Sequence, residues 1–414
     1  MAYTEKTETG LGSRLGGSLR GICFGFLLVA TGTGLLWWNE GNFVKSGDAL
    51  TEAQGATQSL GDINTVNAGL NGKLVHATGL ATTKDILTDP VFNVATKAIR
   101  LERSVEFFQW TESSKTETQK KADGKEEKVT TYTYSQGWSK SPVDSSAFHA
   151  PDARQNKVNT VIMPLENHSI QAQDVALGAY RLPAFLVNSI SGQTNVAVTI
   201  PTETLEALNK QLAPPAEFTP YWQQEQTSWQ PDKNPAASPV SMVHTSGSTV
   251  YLGISPAAPN VGDVRVTFKE VRPTTVSIMA KLNGDTFEQF IASNGKSVSM
   301  LRMGEHSQEN MYGSAHSSNE TMTWILRAVG VLVVILGVRM VLAPIAVVAD
   351  VVPLLGNIVG AGVGLVAGLV GLAWSLLVVA VAWLRFRPLV GGIMVGVAVA
   401  LIALAVIRGQ TAKK

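Results

Sequence analysis

The chain has almost no sulfur chemistry: of 414 residues one is a cysteine, Cys23, and it lies inside an uncharged apolar run. Everything beyond that run is therefore without a disulfide framework or a cysteine-based metal site. Charge is scarce too, at 16% Asp, Glu, Lys and Arg, with a net charge of +1. With no basic arm, zinc spacing or RNA-binding signature, the chain offers nucleic acid no footprint. Catalytic signatures are missing: there is no HExxH, P-loop or GxSxG, and no GxGxxG between a strand and a helix. No repeat of fixed period occurs. His76, His149, His168, His244, His306 and His316 are scattered without ligand spacing and read as surface or hydrogen-bonded side chains. No catalytic residue, cofactor or metal is assigned.

What the chain does have is strong hydrophobicity at its two ends. Residues 21–38 carry no charge, and residues 324–407 carry five. Between them, 42–320 holds no comparable run. This layout predicts an α+β extramembrane domain combined with a four-helix transmembrane region, one span N-terminal and three C-terminal. The expected order is a cytosolic N-terminus (1–18), a first helix (19–39) and the large domain (42–320). A second helix (323–342), an interfacial or re-entrant connection (343–357) and a third helix (358–384) follow. A fourth helix (388–407) and a cytosolic tail (408–414) end the chain. Pro344, Asp350 and Pro353 motivate the broken connection. The first run ends in Trp37-Trp38-Asn39-Glu40-Gly41, where a signal peptide wants small residues, so it reads as a retained helix with an interfacial belt.

Trp37, Trp38 and Trp324, with Arg327 and Arg339, are the expected membrane-interface anchors. The two arginines are twelve residues apart, about 18 Å along a helix, so each can snorkel to its nearer surface. A buried functional charge is the alternative. Lys6, Arg14, Arg20, Arg339, Arg408, Lys413 and Lys414 fall inside if both termini are cytosolic, against Arg327, Arg385 and Arg387 outside. That asymmetry places the large domain outside the cytosol. Gly356, Gly360, Gly364 and Gly368 recur every four residues and form a groove on one helix face. Self-association and close packing within the same bundle are both consistent with it.

In the large domain, 72–82, 98–110, 129–138, 249–254, 262–271 and 274–282 read as strands. In 262–271, Val264, Val266 and Phe268 alternate with Arg265, Thr267 and Lys269, the pattern of a half-buried strand. Residues 112–128, with five Lys and five acids, read as a solvated hairpin extension, or alternatively as a partner-binding arm. Asp174–Leu186 and Pro201–Leu212 read as helices, and 213–247 as a proline-rich loop.

These residues resemble a known family. Trp38-Asn39-Glu40-Gly41 is similar to the start of the LUMA proteins, also called transmembrane protein 43. The run 323–370, the segment 382–391 and the strand Gly262-Asp263-Val264-Arg265-Val266-Thr267-Phe268 resemble the family's tail and its GD-R-V-F strand. The resemblance implies four spans with cytosolic termini, self-association and no established catalytic residues. For eukaryotic members it implies the endoplasmic reticulum and inner nuclear membrane, with emerin and lamins as partners. The Ala- and Thr-rich, lysine-poor composition suits a bacterial member in the inner membrane with its domain in the periplasm.

The expected function is a non-enzymatic multi-pass scaffold that self-associates in the lipid bilayer and presents its domain to membrane or extracytoplasmic protein partners. A channel or transporter, and a membrane-tethered hydrolase, are the alternatives.

Overall fold

The computed structural model describes residues 2–121, 125–212, 241–349 and 353–393. Most of the proline-rich loop and the far part of the expected fourth span lie outside these residues. The strands used below are β1 (Ala2–Thr9), β2 (Leu74–Thr83), β3 (Arg100–Lys120), β4 (Glu126–Ser139), β5 (Val264–Val271) and β6 (Thr274–Asn283). The helices are α1 (Leu11–Ala56), α2 (Thr202–Leu212), α3 (Gln308–Ala349) and α4 (Pro353–Phe386).

An eight-stranded sheet contains β1, β4, β3 and β5 in that order, continued by Thr249–Leu252 and Val243–Ser246. A seven-stranded sheet is built around β6 and β2, which pair antiparallel from Thr274↔Ala81 to Lys281↔Leu74. The turn between β5 and β6 passes the chain from one sheet to the other. Both sheets feed one core: Val105, Phe107, Val266 and Phe268 come from the first, and Val75, Ile278 and Leu282 from the second. The period-2 pattern of β5 is realised, with Val264, Val266 and Phe268 all fully buried. Helix α2 lies within the expected Pro201–Leu212, where Leu205, Leu208 and Leu212 recur at helical spacing, and it buries Leu208 and Leu212.

Asp174–Leu186 is not the expected helix. It forms the short antiparallel strands Val175–Leu177 and Tyr180–Arg181, and only Ala184–Val187 is helical. Gly178 sets this turn. Its φ is +62°, and an added Cβ would lie 2.2 Å from the Ile63 carbonyl oxygen, so no other residue fits.

Three helices are long and apolar enough to cross a membrane among the described residues: Gly12–Ala56, Gln308–Val348 and Val359–Phe386. Backbone from Pro388 to Ile393 is again helical, and the remainder of that expected span lies outside the described residues. Where an interfacial connection was expected, α3 continues through Pro344 to Ala349 and α4 begins at Pro353. The 46 residues of α1 extend about 69 Å, more than twice a ~30 Å hydrocarbon core. The surplus docks on the second sheet. Ala49 and Ala53 of α1 and Met311 and Tyr312 of α3 form a second buried cluster with Leu74 and Met279. Tyr312 Oη and Thr57 Oγ1 are 2.7 Å apart in the same region. The bundle and the domain are thus joined by unbroken helices.

Strands β3 and β4 form the expected hairpin arm, paired from Phe107↔Ser139 to Lys120↔Glu126. The arm is also paired with β1, from Ala2↔Thr133 to Thr9↔Glu126. Lipid around α1 opposes this last pairing, because β1 and the domain lie at opposite ends of that helix. An arm reaching across would carry its charges into hydrocarbon at about 3 kcal/mol each. A ladder hydrogen bond returns only ~1 kcal/mol. The chain with α1 inserted should therefore release β1. Cysteines at Thr4 and Thr131, register partners in the ladder, should not form a disulfide in intact membranes of a Cys23→Ser variant. Efficient crosslinking would mean that α1 does not cross.

Candidate functional site: a polar clasp at the mouth of the bundle

Helices α1 and α3 meet in an antiparallel register that small residues permit. A Cβ on Gly25 would lie 2.7 Å from the Gly337 carbonyl oxygen, and one on Gly32 would lie 3.1 Å from that of Gly330. Both helices thus place a glycine at each of two crossings seven residues apart, and the backbones touch. Sequence reading singled out the four-residue spacing in α4 and passed over this pair. The seven-residue repeat of glycine in two apolar runs was the available signal.

Continuing that register brings Asn39 to Thr323, where Asn39 Nδ2 donates to the Thr323 carbonyl oxygen at 3.1 Å. The next residue, Glu40, is 1% exposed. Its carboxylate accepts two hydrogen bonds from Arg327, Nε at 2.6 Å and Nη2 at 2.7 Å. Trp383 of α4 donates its indole N–H to the same carboxylate at 2.7 Å. The guanidinium lies over the Trp324 ring, 4.7 Å from its centroid. Gly41 follows because a Cβ there would lie 2.8 Å from the Phe386 ring, and Trp37 packs on that ring with centroids 5.6 Å apart. Each of Trp37, Asn39, Glu40 and Gly41 therefore contacts α3 or α4. Trp38 is exposed.

This arrangement replaces free snorkelling for Arg327 with a bidentate ion pair whose charge is fully matched. Such geometry is what a charge at low dielectric requires. Arg339 is exposed near the far end of α3. Asp350 lies outside the described residues. In α4, Gly371 is packed on Ile335, whereas Gly360, Gly364 and Gly368 have nothing within 4 Å of an added Cβ among the described residues. The surroundings of Gly356 lie outside the described residues.

The large domain has its own polar cluster beside a pocket of 330 Å³ lined by Trp138, His244, Tyr251 and Arg265. His244 Nε2 lies 3.1 Å and 3.0 Å from the carbonyl oxygens of Gly253 and Ile254. Arg265 is held by Glu106 at 2.7 Å and stacks over Trp138. The Tyr251 hydroxyl donates to the Asp263 carboxylate, which also accepts from the Asn260 N–H. Burial pushes the Asp263 carboxyl above its ordinary range, against the lowering effect of these two hydrogen bonds. Burial and the carboxylate together push the Tyr251 hydroxyl up. Gly253 has φ +151°, and an added Cβ would strike that carboxylate at 2.4 Å. These bonds pin the loop ahead of β5, so the Gly-Asp pair is structural. Deeper in the domain, Asp89 and Arg103 form a buried ion pair at 2.8 Å. Among the described residues no group of three or more His, Cys, Asp or Glu could hold a metal ion.

The family description that matches this chain is Transmembrane protein 43, over residues 107–388. That is more than half of the chain, and it includes Thr323, Arg327 and Trp383 of the clasp. The chain belongs to the transmembrane protein 43 family. Mouse transmembrane protein 43 is 27% identical over 389 residues, covering 94% of this chain and 90% of the mouse protein. The human protein is 27% identical over 394 residues, covering 95% of this chain and 91% of its own length. The Drosophila homolog is 28% identical over 379 residues, covering 89% of each. No solved structure matches. The resemblance seen in the WNEG segment and the apolar tail is thus a family relationship, and this member is an integral membrane protein in contact with the lipid bilayer.

The clasp predicts a specific energetic pattern. Glu40→Gln leaves Arg327 without its counter-charge and should destabilise the purified protein by about 3–5 kcal/mol. Replacing both residues by methionine should cost less than the single change, because no charge is then left unpaired. Thermal unfolding in detergent measures both. Additive losses would mean that the pair is not coupled.

Proposed function

We propose that the chain is a non-enzymatic, multi-pass membrane scaffold that self-associates through α4 and presents its large domain to protein partners outside the cytosol. In this reading spans at 19–39, 323–342, 358–384 and 388–407 leave both termini in the cytosol. The segment 42–320 faces the periplasm of a bacterial inner membrane, and Trp37, Trp38, Trp324 and Arg339 lie at the interfaces. The observation that carries the reading is the contrast along α4. Gly371 is used inside the chain, against Ile335, while Gly360, Gly364 and Gly368 have no close neighbour among the described residues. An open glycine face lets a second backbone approach closely. The docking of α1 and α3 on the second sheet supports the presenting role, because the domain is held at a fixed height above the bundle. Commitment of His244, Arg265 and Asp263 to bonds within the protein supports a structural use of that pocket over a hydrolytic one.

Replacing Gly360 and Gly364 together by leucine should reduce crosslinked oligomer in membranes while monomer abundance and melting temperature hold. The gain lost is about 1–2 kcal/mol. Gly32→Leu, at a crossing already closed inside the chain, should instead destabilise the monomer. Unchanged oligomer in the double variant would remove self-association through α4.

A further inference from the structure

Two adjacent features at the membrane surface fit one ligand. The first is an apolar groove of 650 Å³ between α3 and α4, lined on one side by Trp324, Ala328 and Leu332 and on the other by Leu376, Ala380 and Trp383. The second is a polar pocket of 530 Å³ whose lining includes Asp48, His316, Glu320 and Arg387. They are stacked one above the other. Glu320 and Trp324 are one turn apart on α3, and Arg387 lies one turn beyond Trp383.

The groove runs from Trp324 to Leu332 and from Leu372 to Trp383, about 12 to 16 Å along the helices. That is the depth of one leaflet, half of a ~30 Å core. Its mouth opens at the tryptophans, and the polar pocket begins where headgroups would lie. Asp48, His316, Glu320 and Arg387 make no ion pair or side-chain hydrogen bond among the described residues. Arg387 only lies over the Phe43 ring, 4.7 Å from its centroid.

We propose that α3, α4 and the stalk of α1 hold a single phospholipid with a primary-amine headgroup, taken from the leaflet beside the large domain. One acyl chain fills the groove, Arg387 takes the phosphate, and Asp48 and Glu320 take the ammonium. Charge complementarity selects the headgroup. Two carboxylates beside one guanidinium disfavour a phosphoglycerol headgroup, whose phosphate is its one charge and whose neutral glycerol brings no cation to match them. A trimethylammonium group wants open aromatic faces and donates no N–H. Of the aromatic faces there, Phe43 is already covered by Arg387, and Trp324 and Trp383 by Arg327. A primary ammonium has three donors for the two carboxylates. Arg327 is committed to Glu40, so the anion site is left to Arg387.

The test uses the full chain, delipidated in detergent and offered phosphatidylethanolamine, phosphatidylglycerol or phosphatidylcholine with identical acyl chains, read by native mass spectrometry. One phosphatidylethanolamine should be retained at least tenfold better than either other lipid. Arg387→Gln, half-buried, and Glu320→Gln, exposed, should each lower retention about tenfold, which corresponds to ~1.4 kcal/mol, with melting temperatures unchanged. Ala380→Trp should fill the groove and abolish retention of every lipid, whereas Ala373→Trp, outside the groove lining, should not. Equal retention of the three lipids, or full retention by Ala380→Trp, would overturn the site. So would a disulfide from a cysteine at Leu376 to one placed in 394–407, since the groove would then be covered by the chain itself.

Discussion

The ion pair between Glu40 and Arg327 is the constraint on which the rest of the structure depends. In lipid, apolar side chains gain nothing by leaving hydrocarbon for another helix, so register must come from close backbone contact and from polar bonds. The glycine crossings supply the first. The carboxylate of Glu40, shared between Arg327 and Trp383, supplies the second and links three helices at one point. Shifting α1 by one residue would turn Gly25 and Gly32 off their partners and rotate Glu40 about 100° away from Arg327. Both devices therefore enforce the same register.

That register is carried into the soluble region. Beyond the clasp, Asn319 Nδ2 donates to the Phe43 carbonyl oxygen at 3.0 Å, and the helices continue unbroken to the cluster of Ala49, Ala53, Met311 and Tyr312 on the second sheet. In the proposed topology water surrounds this stretch, so apolar burial becomes the driving force where it was absent a few turns below. The change of solvent along one helix pair explains why glycine and ion-pair contacts give way to an alanine, methionine and tyrosine core. A domain attached in this way tilts with the bundle and does not swing on a linker, which suits presentation of a fixed surface.

Local patterns in the sequence were legible because their causes are local. Val264, Val266 and Phe268 alternate, and the strand follows; Leu205, Leu208 and Leu212 recur at helical spacing, and the helix follows. The hairpin arm was readable from its balanced charge. Asp174–Leu186 was misread because the left-handed turn at Gly178 is imposed by the carbonyl of Ile63, a residue more than a hundred positions earlier. The clasp was read only in part. Trp-Trp-Asn-Glu-Gly looks like an interfacial belt when seen alone, and the partners of Asn39 and Glu40 are nearly three hundred residues away in sequence. Arg327 could not be told from a snorkelling residue until Glu40 was beside it.

Glycine makes the last distinction in the bundle. A glycine in a helix costs about 1 kcal/mol relative to alanine, and close packing is what offsets that cost. Gly25, Gly32, Gly330, Gly337 and Gly371 each meet a neighbouring helix within 3.1 Å of an added Cβ, so their cost is recovered inside the chain. Gly360, Gly364 and Gly368 meet nothing among the described residues. Exposed to lipid they would be three uncompensated weaknesses within nine residues of one helix. Alanine would serve better there unless another backbone comes close. The same physical rule that accounts for the packed glycines thus asks for a close neighbour at these three, which in the proposed reading is the small-residue face of a second α4.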